Sequence, residues 1–201
     1  SSEALIDSSK LRTGQLKDVD WENLASVTES LAGCDIYIDD TSAISTTEMK
    51  SKLRRIPNLG LVVIDYLGLM QSDKRIDNKV QEIAEISRGL KLMAKEFNVP
   101  ILLLSQLSRS IEQRNKGERA PRLSDLRDSG AIEQDADVVI FLYRDEYYKD
   151  AEGSVPSDTE QNVAEVIVAK NRHGSVGNVK MGWIGQFTKF RTLEEDLTIN
   201  G

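Results

Sequence analysis

Two periods of apolar and polar positions alternate along this chain. From Val19 to Leu31 the apolar residues Leu24, Val27 and Leu31 recur at helical spacing, and Gly33 follows as a C-terminal stop. Ile36-Tyr37-Ile38 reads as a short strand ending in Asp39-Asp40. Ser45-Thr46-Thr47-Glu48 has the capping-box form and predicts a helix that Pro57 closes. Leu61-Val62-Val63-Ile64 is an unbroken apolar run, which fits a central parallel strand covered on both faces, and it stops at Asp65. A polar stretch, Gln71 to Asn78, precedes a long helix with Val80, Ile83, Ile86, Leu90 and Met93 on one face. Pro100 then introduces a second fully apolar strand, Ile101-Leu102-Leu103-Leu104.

Beyond that strand a polar, basic loop runs from about Ser105 to Leu123, longer than a routine strand-to-helix connection. Val138 to Leu142 predicts the next strand, and Asp145 to Gln161 an acidic surface loop carrying Gly, Pro and Ser. Glu165–Ala169 and Val179–Trp183 are expected to pair across Asn171-Arg172-His173-Gly174 and Gly177-Asn178, which is turn chemistry suited to a hairpin. The alternation of helices and strands predicts an α/β architecture with a largely parallel sheet. No internal repeat or low-complexity tract interrupts it, and residues 1–201 read as a single domain.

Composition narrows the chemistry. Hydrophobic content of 39% and charged content of 29% are those of an ordinary globular protein, and no apolar run approaches a membrane span. The first residues carry neither a basic nor an apolar leader segment. A single cysteine, Cys34, leaves no internal disulfide and fits a reducing compartment such as the cytoplasm. One cysteine and one histidine, His173, speak against zinc. Counting alone leaves a Ser-His-Asp hydrolase open, but no G-x-S-x-G elbow accompanies the histidine. The net charge of −7 argues against a surface coated for nucleic acid. Yet Arg109, Arg114, Lys116, Arg119, Arg122 and Arg127 cluster within 107–127, so a local grip on phosphates is open.

Three strand-end features carry candidate chemistry. Asp65 falls at the carboxyl edge of its predicted strand, where ligands of open α/β sheets sit, and a carboxylate there can hold Mg²⁺ against nucleotide phosphates. The alternative is a solvated acid closing a strand. Ser105-Gln106 ends the next strand, and a Gln there can bond a γ-phosphate or its attacking water, or be no more than a polar terminus. Ser124 to Asp137 includes Arg127 and Gly130. Its backbone N–H groups could nest a phosphodiester, or the segment could be a charged helix–loop.

LVVIDYLGLM, ILLLSQLSRSIEQR, SDLRDSGAIEQDADVVIFLYRDEYY and AKNRHGSVG, in this order and spacing, closely resemble bacterial replicative DNA helicases of the DnaB type. The resemblance covers essentially the whole chain. It implies a RecA-like P-loop NTPase, a three-layer α/β sandwich with a mostly parallel central sheet and a C-terminal β-hairpin. It further implies an ATP- and Mg²⁺-dependent motor, working as a homohexamer that encircles single-stranded DNA, moves 5′ to 3′ and unwinds the duplex. Primase and a helicase loader are implied partners; a membrane is not. The implied location is the bacterial cytoplasm, at the replication fork on the nucleoid. By resemblance Asp65 is the Walker B carboxylate and metal ligand, and Gln106 the γ-phosphate sensor. Arg109, Arg127, Asp128 and Gly130 match DNA-backbone contacts, with Asp128 a departure from the usual Glu. Lys170 and Arg172 match the basic pair that reaches a neighbouring subunit's nucleotide, Arg172 as the arginine finger.

No G-x-x-x-x-G-K-[ST] occurs in the 201 residues. The resemblance places that phosphate loop, with the first strand and helix of the motor, upstream of Ser1. The expectation is a partial motor domain inactive on its own. A recombinase-type module and a non-catalytic RecA-like scaffold are the competing expectations.

Overall fold

The computed structural model of the chain describes residues 1–114, 118–126, 130–144 and 162–193, the side chains of Arg109 and Ser110 excepted. Its order is α1 (Ser8–Thr13), α2 (Asp18–Ala32), α3 (Thr46–Leu53), β1 (Val62–Ile64), α4 (Lys79–Phe97), β2 (Ile101–Leu103), α5 (Gly130–Asp135), β3 (Val138–Tyr143), β4 (Val163–Asn171), β5 (Gly177–Ile184) and β6 (Lys189–Thr192). Short 3₁₀ turns lie at Leu67–Leu69, Arg109–Gln113, Leu123–Asp125 and Gly185–Phe187. β1 and β2 pair in parallel, and β3-β4-β5-β6 form a second sheet in that order. By packing the chain divides into two units. One holds the described residues of Ser1–Ile38, Leu142–Ile167 and Gly177–Gly201; the other holds those of Asp39–Phe141 and Val168–Val176. The division falls within β3 and within β4.

The second unit is built on a strand–helix–strand crossover. β1 and β2 align Val62 with Ile101 and Ile64 with Leu103, and α4 makes the long connection that parallel pairing requires. Asn78 starts α4 by accepting the N–H groups of Val80 and Gln81 at 2.9 and 3.3 Å; Asn98 ends it in the left-handed conformation. Ile86, Leu90 and Met93 of α4 meet Met49 and Leu53 of α3, Val62 and Ile64 of β1, and Ile132 of α5 in one core. Ser45 caps α3 through the Glu48 N–H at 3.3 Å, as the capping box predicts, although α3 ends at Leu53, ahead of Pro57.

Two sequence expectations fail here. β1 is not covered on both faces: Val63 is 54% exposed and Leu61, Leu102 and Leu104 are also exposed, because α3 and α4 pack on one face only. Nor do Ile36-Tyr37-Ile38 form a strand. All three are exposed, and no ladder partner exists for them among the described residues. β propensity without a neighbouring strand leaves the backbone to water.

In the first unit, Asp7 caps α1 and Lys10 pairs with Asp20 of α2 at 3.2 Å. α2 matches the predicted helix and its Gly33 stop, yet buries none of its residues. β5 and β6 pair antiparallel, Trp183 opposite Phe190, with the two rings edge to face at 4.8 Å. β6 was not expected from the pattern, since Lys189–Thr192 has no alternating apolar run. The predicted hairpin of β4 and β5 is present and longer than expected. The acidic 145–161 loop lies outside the described residues. No described helix is long and apolar enough to cross a membrane.

Candidate functional site

Asp65 follows β1 directly and is exposed. Its height at the sheet edge is held by backbone bonds on both sides: Leu104 N–H donates to the Ile64 carbonyl at 3.0 Å, and Leu67 N–H to the Leu104 carbonyl at 2.9 Å. The same Leu104 leads into exposed Ser105 and Gln106. Asp65 and Gln106 therefore share the carboxyl edge of the parallel pair, the edge their strand-end reading requires. One exposed carboxylate suits Mg²⁺, which takes one or two protein oxygens and leaves the rest to water and phosphate. Among the described residues no cluster of three metal-ligating side chains exists, and the chain has no phosphate-loop motif. The donor set thus fits one corner of a metal–nucleotide site.

Lys170 and Arg172 lie at the end of β4 and just beyond it. Two apart on extended chain, they share a face, and both reach α5. Lys170 Nζ donates to the Glu133 carbonyl and Arg172 Nη2 to the Gln134 carbonyl. These are last-turn carbonyls with no partner inside the helix, so two cations cap the negative end of α5. The Arg172 N–H also donates to the Asp137 carbonyl at 2.9 Å, and its Nε lies 3.7 Å from Asp137 Oδ1. Asn171, on the opposite face, closes the turn by accepting the His173 N–H at 3.2 Å.

Asp137 joins this hairpin to α4. Its carboxylate bonds Lys91, and that ammonium, with the charge of Arg172 behind it, holds Asp137 below the usual carboxylate range against a smaller opposing effect of burial. Ser87 of α4 donates to Asp135 at 2.9 Å, and Arg88 lies 3.7 Å from the same carboxylate. Lys91 and Asp137 were not picked out from the sequence. Their signal is faint, because the partners are 46 residues apart.

Gly130 is the first residue of α5, exposed, and a Cβ there would meet nothing within 4 Å. Arg127 and Asp128 lie outside the described residues, and of Arg109 only the backbone, in a 3₁₀ turn, is described. The structure thus gathers Lys170 and Arg172 on α5, and Asp65 with Gln106 at one sheet edge. Arg114, grouped with the phosphate-gripping cations by charge alone, instead pairs with Asp125.

A parallel strand pair joined by a helical crossover, with an acid at its carboxyl edge, defines an α/β domain of RecA-like fold. The chain belongs to the DnaB-like helicase C-terminal domain family, whose model matches residues 1–192. It is 47% identical over 198 residues to the replicative DNA helicase DnaB of Geobacillus stearothermophilus, covering 96% of this chain and 42% of that protein. It is 43% identical over 201 residues to DnaB of Haemophilus influenzae, covering 97% of this chain and 41% of the relative. Among solved structures, a DnaB-like replicative helicase described with its interactions with primase superposes with a TM-score of 0.85 at 38% identity, over 96% of this chain and 46% of that one. A separately solved ATPase domain gives the same score and identity, over 96% of this chain and 68% of its own. The chain spans about two fifths of the length of these curated relatives.

Proposed function

We propose that this chain is part of the motor of a bacterial replicative DNA helicase and acts, within the longer protein, in an ATP-driven homohexamer encircling single-stranded DNA. Residues 1–201 form one motor domain in this reading. The motor moves 5′ to 3′, unwinds duplex ahead of the fork in the cytoplasm, and meets primase and a loader. Asp65 contributes a carboxylate to Mg²⁺, which neutralises phosphate charge when bound. Gln106 reads the γ-phosphate. Arg109, Arg127, Asp128 and Gly130 track the DNA backbone, and Lys170 and Arg172 act on the nucleotide of the adjoining subunit.

The observation that supports this reading best is the docking of Lys170 and Arg172 on α5. That helix starts at Gly130, so one of the proposed DNA-backbone contacts lies three and four residues from the carbonyls that hold the hairpin cations, about 5–6 Å of rise. A short rigid helix is a direct way for a change at one end to be felt at the other. The guanidinium side chain remains 46% exposed while held there. A cation so held can stabilise charge on a transferred phosphoryl group across a head-to-tail interface.

In the full-length protein, Arg172→Ala should lower ATP turnover by about a thousandfold or more, with little change in nucleotide binding. Mixing Arg172→Ala subunits with Asp65→Ala subunits should restore part of the turnover, since some interfaces then pair an intact arginine with an intact acid. No recovery on mixing would remove Arg172 from action in trans. The isolated 201-residue chain, assayed beside them, should show no magnesium-dependent turnover.

A further inference from the structure

The basic segment after β2 is built around a buried acid. Asp125 is 2% exposed. Its carboxylate takes both arms of the Arg114 guanidinium, Nη1 at 3.0 Å on Oδ2 and Nη2 on Oδ1. The Arg122 N–H adds a third bond to Oδ2 at 2.7 Å, and the Asp125 carbonyl accepts the Ser108 N–H at 3.2 Å. Positions 108, 114 and 122 of one loop are thereby tied to a single residue. Ile111, Pro121 and Leu126 are buried along the same segment, and Arg119 Nε donates to the Arg114 carbonyl at 3.2 Å.

A carboxylate sunk this deeply is tolerable only with charged, well-aligned partners, and a forked guanidinium supplies two parallel bonds. The pairing divides the cations of the loop. Arg114 is used internally, whereas Arg122 gives its backbone to the acid and keeps its side chain exposed. A loop rich in like charges would otherwise spread, and every phosphate contact would bear the cost of ordering it.

Resting on the reading of this segment as a DNA-backbone grip, we infer that Asp125 is a positioning residue. Its clamp on Arg114 and on the Arg122 backbone holds residues 108–114 and 118–126 to one another, so that exposed Arg122 meets the phosphodiester of single-stranded DNA already positioned.

The test uses the full-length protein carrying Asp125→Asn or Arg114→Lys, the second keeping the positive charge but not the fork. Each variant that folds by circular dichroism should bind an oligo-dT about tenfold more weakly, with a salt slope shallower by about 0.7 for each phosphate left un-neutralised. Trypsin should also cut faster after Arg119 and Arg122 without any DNA. The Lys variant decides the matter if Asp125→Asn does not fold. Binding and salt slope equal to wild type would overturn the inference, even with faster cleavage. Wild-type protein that binds no oligo-dT would instead overturn the functional reading, and an unchanged cleavage rate would then overturn the clamp itself.

Discussion

Single carboxylates here take their meaning from what faces them. Asp65 was legible in the sequence because an apolar strand ending in an acid says where that acid lies. Asp137 was not, although it stands within a recognisable motif, because Lys91 and Arg172 come to it from distant segments. Its depressed pKa has a sign that can be checked. A carboxyl held below its ordinary value of 3.8 stabilises the fold above that value, and the contribution is lost as pH falls through the depressed one. Lys91→Met should therefore lower the thermal midpoint near neutrality and cost progressively less below 3.8. A midpoint difference that stays constant with pH would show that Lys91 acts through packing of its stem, not through Asp137. The Arg114–Asp125 pair escaped the sequence for a related reason: charge counting cannot distinguish a cation used internally from one offered to solvent.

At the scale of elements, periodicity was a good guide wherever a stripe had a surface to pack on. The predicted face of α4 is present, but unequal along its length: Ile86 is 1% exposed whereas Val80, in the first turn, is 46% exposed. Ile86→Ala should accordingly cost about 2–5 kcal/mol in urea unfolding, and Val80→Ala well under about 1 kcal/mol. Equal losses would mean that the first turn of α4 is packed as tightly as its middle. α2 shows the converse case, a correct helix with no buried residue. Ile36-Tyr37-Ile38 has strand composition and no strand, since pairing belongs to two segments and composition to one. β6 went unseen because its register is set by β5, Trp183 opposite Phe190, and not by any pattern of its own.

For the molecule as a whole, the exposed apolar residues set its behaviour in solution. β1 and β2 turn Leu61, Val63, Leu102 and Leu104 away from the core, and Trp21 and Leu31 are exposed on α2. Such surface favours association. Sedimentation of the isolated chain at micromolar concentration should show oligomers that detergent disperses; a strictly monomeric boundary would contradict this. The sequence by itself determined the α/β class, the strand that delivers Asp65, the hairpin that carries Lys170 and Arg172, and the family to which four motifs in register belong. These are properties of local pattern, readable because side-chain period and turn chemistry act within a few residues. Tertiary structure alone decided that β1 is covered on one face, that the hairpin cations cap α5, and that Asp125 organises the basic loop. Each of those depends on groups apart in the chain, and only folding brings their charges and surfaces within reach of one another.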